Sequence, residues 1–341
     1  MCILNAFYDI PFFGFIIQQV VWIVTVYLLY YACSIVFALL KAVLIYRVIP
    51  LFYSPPLNKY KNRWTVVTGG TDGIGKAYTI ELAKYGFKKF VLIGRNPKKL
   101  DDVKRLLEEG YSATVNTYLF DFSNGDYDTL RLYINSIEDI GFVLNSVGVG
   151  REKLERYGEN PDADNLIFKV NGYGATQLLS MVLKPMRRNG GGQIVSVSSC
   201  LGYAPVKYLA AYSATKTLVN YISSCIDSEY DNIDVQILTP SAVATAMTYY
   251  KDESELKGFV KYFFVVTPQQ LAYEAVRTIG LVQYTSGTLT HEIQLALMHL
   301  PRCLSEFILN QIISHENKRV LNLLKSKRQI SSDDSCSTGA A

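Results

Sequence analysis

Trp64, Thr65, Val66 and Val67 make a short aromatic and β-branched run that breaks into Thr68-Gly69-Gly70-Thr71-Asp72-Gly73-Ile74-Gly75. An apolar-periodic segment then continues through Tyr85. That order reads as a strand, a tight turn and a helix start. Glycines at 69, 73 and 75 let the backbone turn sharply and approach an anion closely. The free N–H groups and positive end of the following helix favour a pyrophosphate there. A glycine run alone is more often a plain loop; the flanking strand and helix supply the context that a nucleotide loop demands.

The chain then alternates. Phe90 to Ile93 reads as a strand, Pro97 to Glu109 as a charged helix, Ala113 to Phe120 as a strand and Tyr127 to Ile137 as a helix. A strand ending at Asn145, a long helix from about Asp164 to Arg188, a strand at Ile194 to Val197, a helix around Tyr212 and a strand at Val235 to Leu238 follow. Such alternation implies parallel strands joined by right-handed crossovers, with helices on both faces. The expected fold is α/β, a doubly wound, Rossmann-like parallel sheet, in one catalytic domain over 63–288.

Ser199 stands thirteen residues before Tyr212, and Lys216 follows Tyr212 by four. Helical spacing puts Tyr212 and Lys216 on one face. An ammonium beside a phenol stabilises the phenolate, pulling a group of ordinary pKa ~10 toward the working range of a general acid. With 25 tyrosines in the chain, a Tyr-x-x-x-Lys spacing arises readily by chance, so its weight comes from the glycine loop upstream.

Ahead of that domain, 31 positions between Asp9 and Lys41 carry no charge and are rich in Phe, Ile, Val, Leu, Trp and Tyr. About 20 apolar residues cross a bilayer as a helix. The stretch is too long for a cleaved signal peptide, follows an acid instead of a basic cluster, and lacks a small-residue cleavage site. Residues 1–49 are therefore expected to be a membrane anchor. Residues 50–62, with Pro50, Pro55 and Pro56, read as a stiff linker. Lys41, Arg47, Lys59, Lys61 and Arg63 follow the span while only Asp9 precedes it, which turns the catalytic domain toward the cytosol. A net charge of +4 is too mild to argue for nucleic acid, although a basic collar suits an anionic membrane surface. Six cysteines show no C-x-x-C pair and no metal spacing, so they read as isolated reduced thiols.

Together, TGGTDGIG at Thr68 to Gly75, Asn145 in LNSVG, Asn171, Ser199 and YSATK at Tyr212 to Lys216 resemble the short-chain dehydrogenases/reductases. TDGIGKAY running into ELAKYGF, and SATKTLV, are similar to that family's membrane-bound branch of very-long-chain 3-oxoacyl-CoA reductases and 17β-hydroxysteroid dehydrogenases of type 3 and type 12. The resemblance implies NADPH as cofactor, bound by Gly69, Thr71, Asp72, Gly73, Ile74 and Gly75. It implies Asp121 at the adenine, Asn145 beside the cofactor, and Thr245 at the nicotinamide carboxamide. It further implies Tyr212 as general acid, Ser199 holding the carbonyl oxygen, Lys216 also binding the nicotinamide ribose, and Asn171 positioning a relay water. Ser198 is the rival to Ser199, but Ser199 has the family's spacing to the tyrosine.

At the end of the second strand, where this fold places an acid against an unphosphorylated ribose, the chain has Gly94 and Arg95 with Lys98 and Lys99 close behind. A guanidinium suits a 2′-phosphate and has no partner in NAD. Two departures from the family pattern, Ser146 after Asn145 and Ser241 after Pro240, are expected to alter loop geometry before catalysis.

Leu289 to Ile313 is apolar but interrupted by His291, Glu292, His299, Arg302 and Glu306, which suits a substrate lid or a membrane-surface helix within a segment over 289–330. Residues 331–341 read as a disordered tail. His291 and Glu292 invite a zinc motif, yet position 295 is Leu, so no metal site is expected. The resulting expectation is a reductase of a ketone on a lipid, a long-chain 3-oxoacyl-CoA or a keto-steroid, in the endoplasmic reticulum membrane. A homodimer is compatible with the sequence. The rival is a non-catalytic NADPH-binding scaffold, which would not need Ser199, Tyr212, Lys216 and Asn171 all together.

Overall fold

The computed structural model describes residues 11–151, 153–248, 265–315 and 317–318. Its centre is a seven-stranded parallel sheet in the order β3-β2-β1-β4-β5-β6-β7. The strands are β1 (Trp64–Thr68), β2 (Lys89–Gly94), β3 (Thr114–Leu119), β4 (Ile140–Asn145), β5 (Gly192–Val197), β6 (Ile233–Leu238) and β7 (Tyr284–Thr285). The described helices are α1 (Pro11–Val43), α2 (Gly73–Lys84), α3 (Pro97–Tyr111), α4 (Tyr127–Ser136), α5 (Pro161–Ile167), α6 (Ala175–Arg188), α7 (Ala210–Glu229), α8 (Pro268–Val276) and α9 (Leu289–Leu295), with a further helix over 302–315.

Both sheet faces are covered, so the inner strands are apolar at successive positions instead of alternating with polar ones. Side chains still alternate by face. Val67, Phe90 and Leu92 pack under Tyr78 and Leu82 of α2 and Leu271 of α8. Val66, Val91 and Ile93 enter the opposite core with Leu130 of α4, Leu178 of α6 and Ile226 of α7. The strand order reverses at β1, with β2 on one side and β4 on the other, and that reversal opens a crevice over the carboxyl ends of β1 and β4.

Several elements differ from the sequence expectation. The helix expected from Asp164 to Arg188 is divided into α5, a π-helical turn over Phe168–Gly174, and α6. β7 and α8 complete the sheet and its cover without having been anticipated.

The anchor is also continuous with the domain. α1 runs on through a π-helical turn, Leu44–Val48, and a 3-10 turn, Ile49–Leu51. The most apolar 18-residue window of the helical stretch Gly14–Leu51 has a mean hydropathy of 2.2, and none of it is buried in the protein, unlike a core helix. Residues 50–62 are not a free spacer: the Tyr53 hydroxyl donates to the Ile279 carbonyl at 2.9 Å, and Leu57 and Tyr60 sit in the core. The expected tail over 331–341 lies outside the described residues.

Candidate active site

The turn after β1 is built so that only glycine fits at two of its corners. Gly69 has φ +65°, and a Cβ there would lie 2.5 Å from the Ser146 carbonyl oxygen. A Cβ on Gly75 would overlap the Gly69 carbonyl oxygen. Backbone blocks both positions, so a side chain cannot be accommodated by a rotamer change. The result is a cradle of bare backbone at the N-terminus of α2, which fits a pyrophosphate. Asp72 caps that helix, accepting from the Gly73 N–H at 2.8 Å, and ion-pairs with Lys99 at 2.5 Å. The Lys99 contact, against the opposing effect of burial, holds its carboxyl below the usual range, with help from the Gly73 N–H. Ile74 packs inward on the core, and Thr71 abuts the end of β2 at Gly94. Thr245, from the loop after β6, comes beside Gly73.

Thr68 and Asn145 close the crevice floor. They are register partners in β1 and β4, and the Thr68 hydroxyl donates to Asn145 Oδ1 at 3.3 Å. The same hydroxyl accepts from the N–H groups of Ser146 and Val147, while Asn145 Nδ2 donates to the Ala175 carbonyl at 3.0 Å. Asn145 thus braces two strands and α6, and its side chain is directed into the fold.

Behind this cradle, β5 delivers two serines with different surroundings. The Ser198 hydroxyl donates to the Lys216 carbonyl at 3.1 Å, a brace between β5 and α7. Ser199 Oγ accepts from the Leu201 N–H at 3.2 Å, and its hydroxyl acts on the Tyr212 phenol to favour the ionised form. Lys216 is 5% exposed; its ammonium donates to the Val197 carbonyl at 3.0 Å and lies 5.6 Å from the Tyr212 ring centre. Asn171 sits in the π-helical turn, fully buried, with its amide clasped to Val149: Oδ1 accepts from the Val149 N–H at 2.7 Å and Nδ2 donates to its carbonyl at 2.9 Å. A Cβ on Gly148 would stand 3.6 Å from Asn171 Oδ1 and 3.7 Å from the Lys216 ammonium, so the loop after β4 passes between them. π-helical turns concentrate at functional sites because the extra residue re-aims side chains.

The electrostatics run against one expectation. Burial pushes the Tyr212 phenol up to about 12, outweighing the lowering influence of Ser199, and pushes Lys216 down to about 8. Desolvation disfavours both charged forms, and it overrides the predicted pull of the ammonium on the phenol. The phenol therefore holds its proton across the neutral range, the state an acid catalyst needs.

At the adjoining strand ends, Arg95 and Asp121 line one cleft of about 480 Å³ with Tyr118 and Asn124. Asp121 accepts from the Ser123 N–H and hydroxyl at 2.9 and 2.8 Å. Burial raises its pKa, but those bonds and the Arg95 charge prevail, and the carboxyl titrates below its usual range. Among the described residues, no carboxylate lies within ion-pairing distance of Arg95, and no three metal-ligating side chains cluster.

The short chain dehydrogenase family profile matches residues 63–256. The chain belongs to that family. Its relatives include the human very-long-chain 3-oxoacyl-CoA reductase, 35% identical over 274 residues that cover 78% of this chain and 83% of the relative. The macaque (Macaca fascicularis) reductase of the same name is 38% identical over 67% of this chain and 72% of its own. A Caenorhabditis elegans protein with a provisional steroid dehydrogenase name is 31% identical over 89% and 93%. Among solved structures, the short-chain dehydrogenase of Sphingobium yanoikuyae in complex with NADPH superposes with a TM-score of 0.55, at 23% identity over 62% of this chain and 82% of that one. The L-sorbose reductase of Gluconobacter frateurii gives 0.57, at 22% identity over 67% and 97%.

In this short-chain dehydrogenase the structure adds residues that no motif marks. The Tyr46 hydroxyl, from the extension of the anchor helix, accepts from the Gly287 N–H at 3.0 Å and shares a 2.5 Å bond with Thr285 Oγ1. Glu292 Oε1 accepts from the Ser286 N–H at 2.8 Å and lies 3.4 Å from that hydroxyl. Next to it, His291 is wholly buried; Nδ1 lies 3.4 Å from the Ser241 N–H and Nε2 lies 3.2 Å from the Ala242 carbonyl. An Nε2-protonated ring satisfies both contacts. His291 thereby grips the Pro240-Ser241 departure, at the root of the loop that carries Thr245. The partners of Tyr46 are some 240 residues away in sequence, so local patterning gives no signal for them.

Proposed function

We propose that this short-chain dehydrogenase is an NADPH-dependent reductase of a ketone on a lipid substrate, with long-chain 3-oxoacyl-CoA favoured over a keto-steroid. The observation that carries the reading is the meeting of buried Ser199, Lys216 and Asn171 with the half-buried Tyr212 beside a glycine cradle that excludes side chains. Gly69, Gly73 and Gly75 would cradle the pyrophosphate, Arg95 would take the 2′-phosphate, and Thr245 would adjoin the nicotinamide. When bound, the reduced nicotinamide supplies a hydride.

The chain's own residues supply the rest. Ser199 donates a hydrogen bond to the substrate carbonyl oxygen, stabilising negative charge as it grows there. Tyr212 gives that oxygen its phenolic proton. Lys216, 5.6 Å from the ring, stabilises the phenolate that remains. Asn171 fixes the Val149 backbone and so the wall beside Lys216, and any relay water is held from that wall. A non-catalytic scaffold would need none of this alignment.

The anchor reading is supported by the exposed apolar helix, and the basic residues that follow it favour a cytosolic catalytic domain on the endoplasmic reticulum membrane. A homodimer fits this reading equally well. Purified full-length protein with NADPH should reduce a long-chain 3-oxoacyl-CoA with a higher kcat/KM than a 17-keto-steroid. Each buried CH₂ is worth about 0.8 kcal/mol, so kcat/KM should rise roughly fourfold per added carbon until the apolar channel fills. A flat response to chain length with efficient steroid turnover would transfer the assignment to the steroid.

A further inference from the structure

The helix over 302–315 is tied to the molecule at two points that the chemistry does not use. Just before it, His299 Nδ1 and Ser34 Oγ of the anchor helix share a hydrogen bond of 2.8 Å. Near its end, Asn310 Oδ1 accepts from the Lys207 N–H at 3.1 Å, and Lys207 lies in the loop that joins Ser199 to Tyr212. Ser305 and Leu309 face the protein, at 6% and 9% exposure. Leu304, Phe307 and Ile312 face outward at 43%, 59% and 43%. At about 100° per residue Leu304, Phe307 and Ile312 spread over an arc of about 140°, with Ile312 at the edge nearest Ser305. Arg302 and Glu306 neutralise each other on the same helix at 2.7 Å.

The level of the helix is set by Ser34. At 1.5 Å per residue, Ser34 lies about 30 Å along the helix from Gly14, which matches the thickness of a hydrocarbon core. A slab that instead ends just before Lys41 places Ser34 about 9 Å below its surface. Either placement brings the start of the 302–315 helix to the lipid boundary. The anchor's own exposed Val36, Phe37 and Leu40 continue the apolar surface on the same chain. Amphipathic helices at that depth lie in the interfacial plane with their apolar stripe among the acyl chains.

We propose that residues 302–315 form an in-plane helix whose Leu304, Phe307 and Ile312 stripe is seated in the lipid bilayer, holding the Ser199–Tyr212 loop at the membrane so that the lipid substrate enters from the bilayer side. The inference rests on the reading of α1 as a membrane span, and the experiment separates the two. Phe307→Trp is introduced into the full chain carrying Trp22→Phe, which leaves Trp64 as the only other indole, and the protein is reconstituted in phosphatidylcholine vesicles with brominated acyl chains. Emission from the indole at 307 should be quenched by the brominated lipid and shielded from aqueous iodide. In the unaltered chain, quenching of Trp22 reports on the span by itself.

If Trp22 is quenched and the indole at 307 is reached by iodide instead, the helix is solvent-exposed and the inference is wrong while the anchor stands. Shielding from both quenchers means that a protein partner or a second copy covers the stripe, which also overturns it. Failure of lipid to quench either indole removes the anchor reading as well. A second variant reads the consequence for substrate: Leu304→Glu with Ile312→Glu should raise KM for a long-chain 3-oxoacyl-CoA in vesicles about tenfold, with kcat and the KM for a short, water-soluble 3-oxoacyl-CoA unchanged. Equal loss on both substrates would contradict entry from the bilayer.

Discussion

The Gly287 N–H donates to the Tyr46 hydroxyl at 3.0 Å, which pins the anchor helix to the turn after the last strand of the catalytic sheet. Tyr46 is 6% exposed, and the same hydroxyl bonds Thr285. The anchor of this short-chain dehydrogenase is consequently part of the catalytic domain's packing as well as its attachment. Tyr46→Phe keeps the ring but removes the hydroxyl bonded to both Gly287 and Thr285, leaving the Gly287 N–H its 3.1 Å bond to Thr285 Oγ1, at a cost of about 0.5–1.5 kcal/mol. Thermal unfolding of the purified full chain should show a lower Tm, and an unchanged Tm would mean that the pin is dispensable.

Arg95 should decide cofactor choice, because its charge has a natural partner in a 2′-phosphate and none in the plain ribose. Losing one charge-assisted hydrogen bond is worth about 1.5–3 kcal/mol, or roughly 10- to 150-fold in affinity. Arg95→Asp should weaken NADPH by that factor and NADH little, as read from nicotinamide fluorescence titrations. Equal weakening of both would remove Arg95 from the recognition of the phosphate.

His291 gives the fold an acid-sensitive step. Burial, opposed by the Ser286 and Ala242 carbonyls, lowers its pKa from an ordinary 6.5 to about 4. Between those values the unfolded chain binds the proton and the native chain does not, so stability rises with pH across the window. The contribution is fully present above about 6.5 and is lost as pH falls toward about 4, on the order of 3 kcal/mol in all. Denaturant unfolding at a series of pH values should show that slope in the native sequence and a flatter one in His291→Gln. Identical slopes would place the acid sensitivity elsewhere.

Orientation follows from the charges on either side of α1. Protease added to sealed microsomes should digest the catalytic domain while carbonate extraction leaves the intact protein in the pellet. Protection of the domain would put it in the lumen and reverse the reading of Lys41 and Arg47.

The glycine cradle and the Tyr212–Lys216 pair were legible because each is local: a turn that only glycine can make, and a spacing that one helix face enforces. The positions of β1 to β6 were legible for the same reason, since runs such as Phe90 to Ile93 are apolar on both faces, whereas the two-residue β7 is too short to show a pattern. The π-helical turn at Phe168–Gly174 was not, because its residues keep the helical conformation and much of the helical apolar pattern on either side. Nor was the commitment of Lys99 to Asp72, of Asn145 to Ala175, or of Tyr46 to Gly287, since each joins elements far apart in sequence. The direction of the Tyr212 shift was missed because spacing reveals the neighbouring charge but not the burial that outweighs it.

The central claim is that Tyr212 transfers the proton in a ketone reduction. Tyr212→Phe removes that proton while leaving the glycine cradle and Arg95 in place. With the purified full chain, NADPH and a long-chain 3-oxoacyl-CoA, loss of nicotinamide absorbance should fall to the rate without enzyme while NADPH still binds. Turnover near that of the unaltered protein would contradict the mechanism.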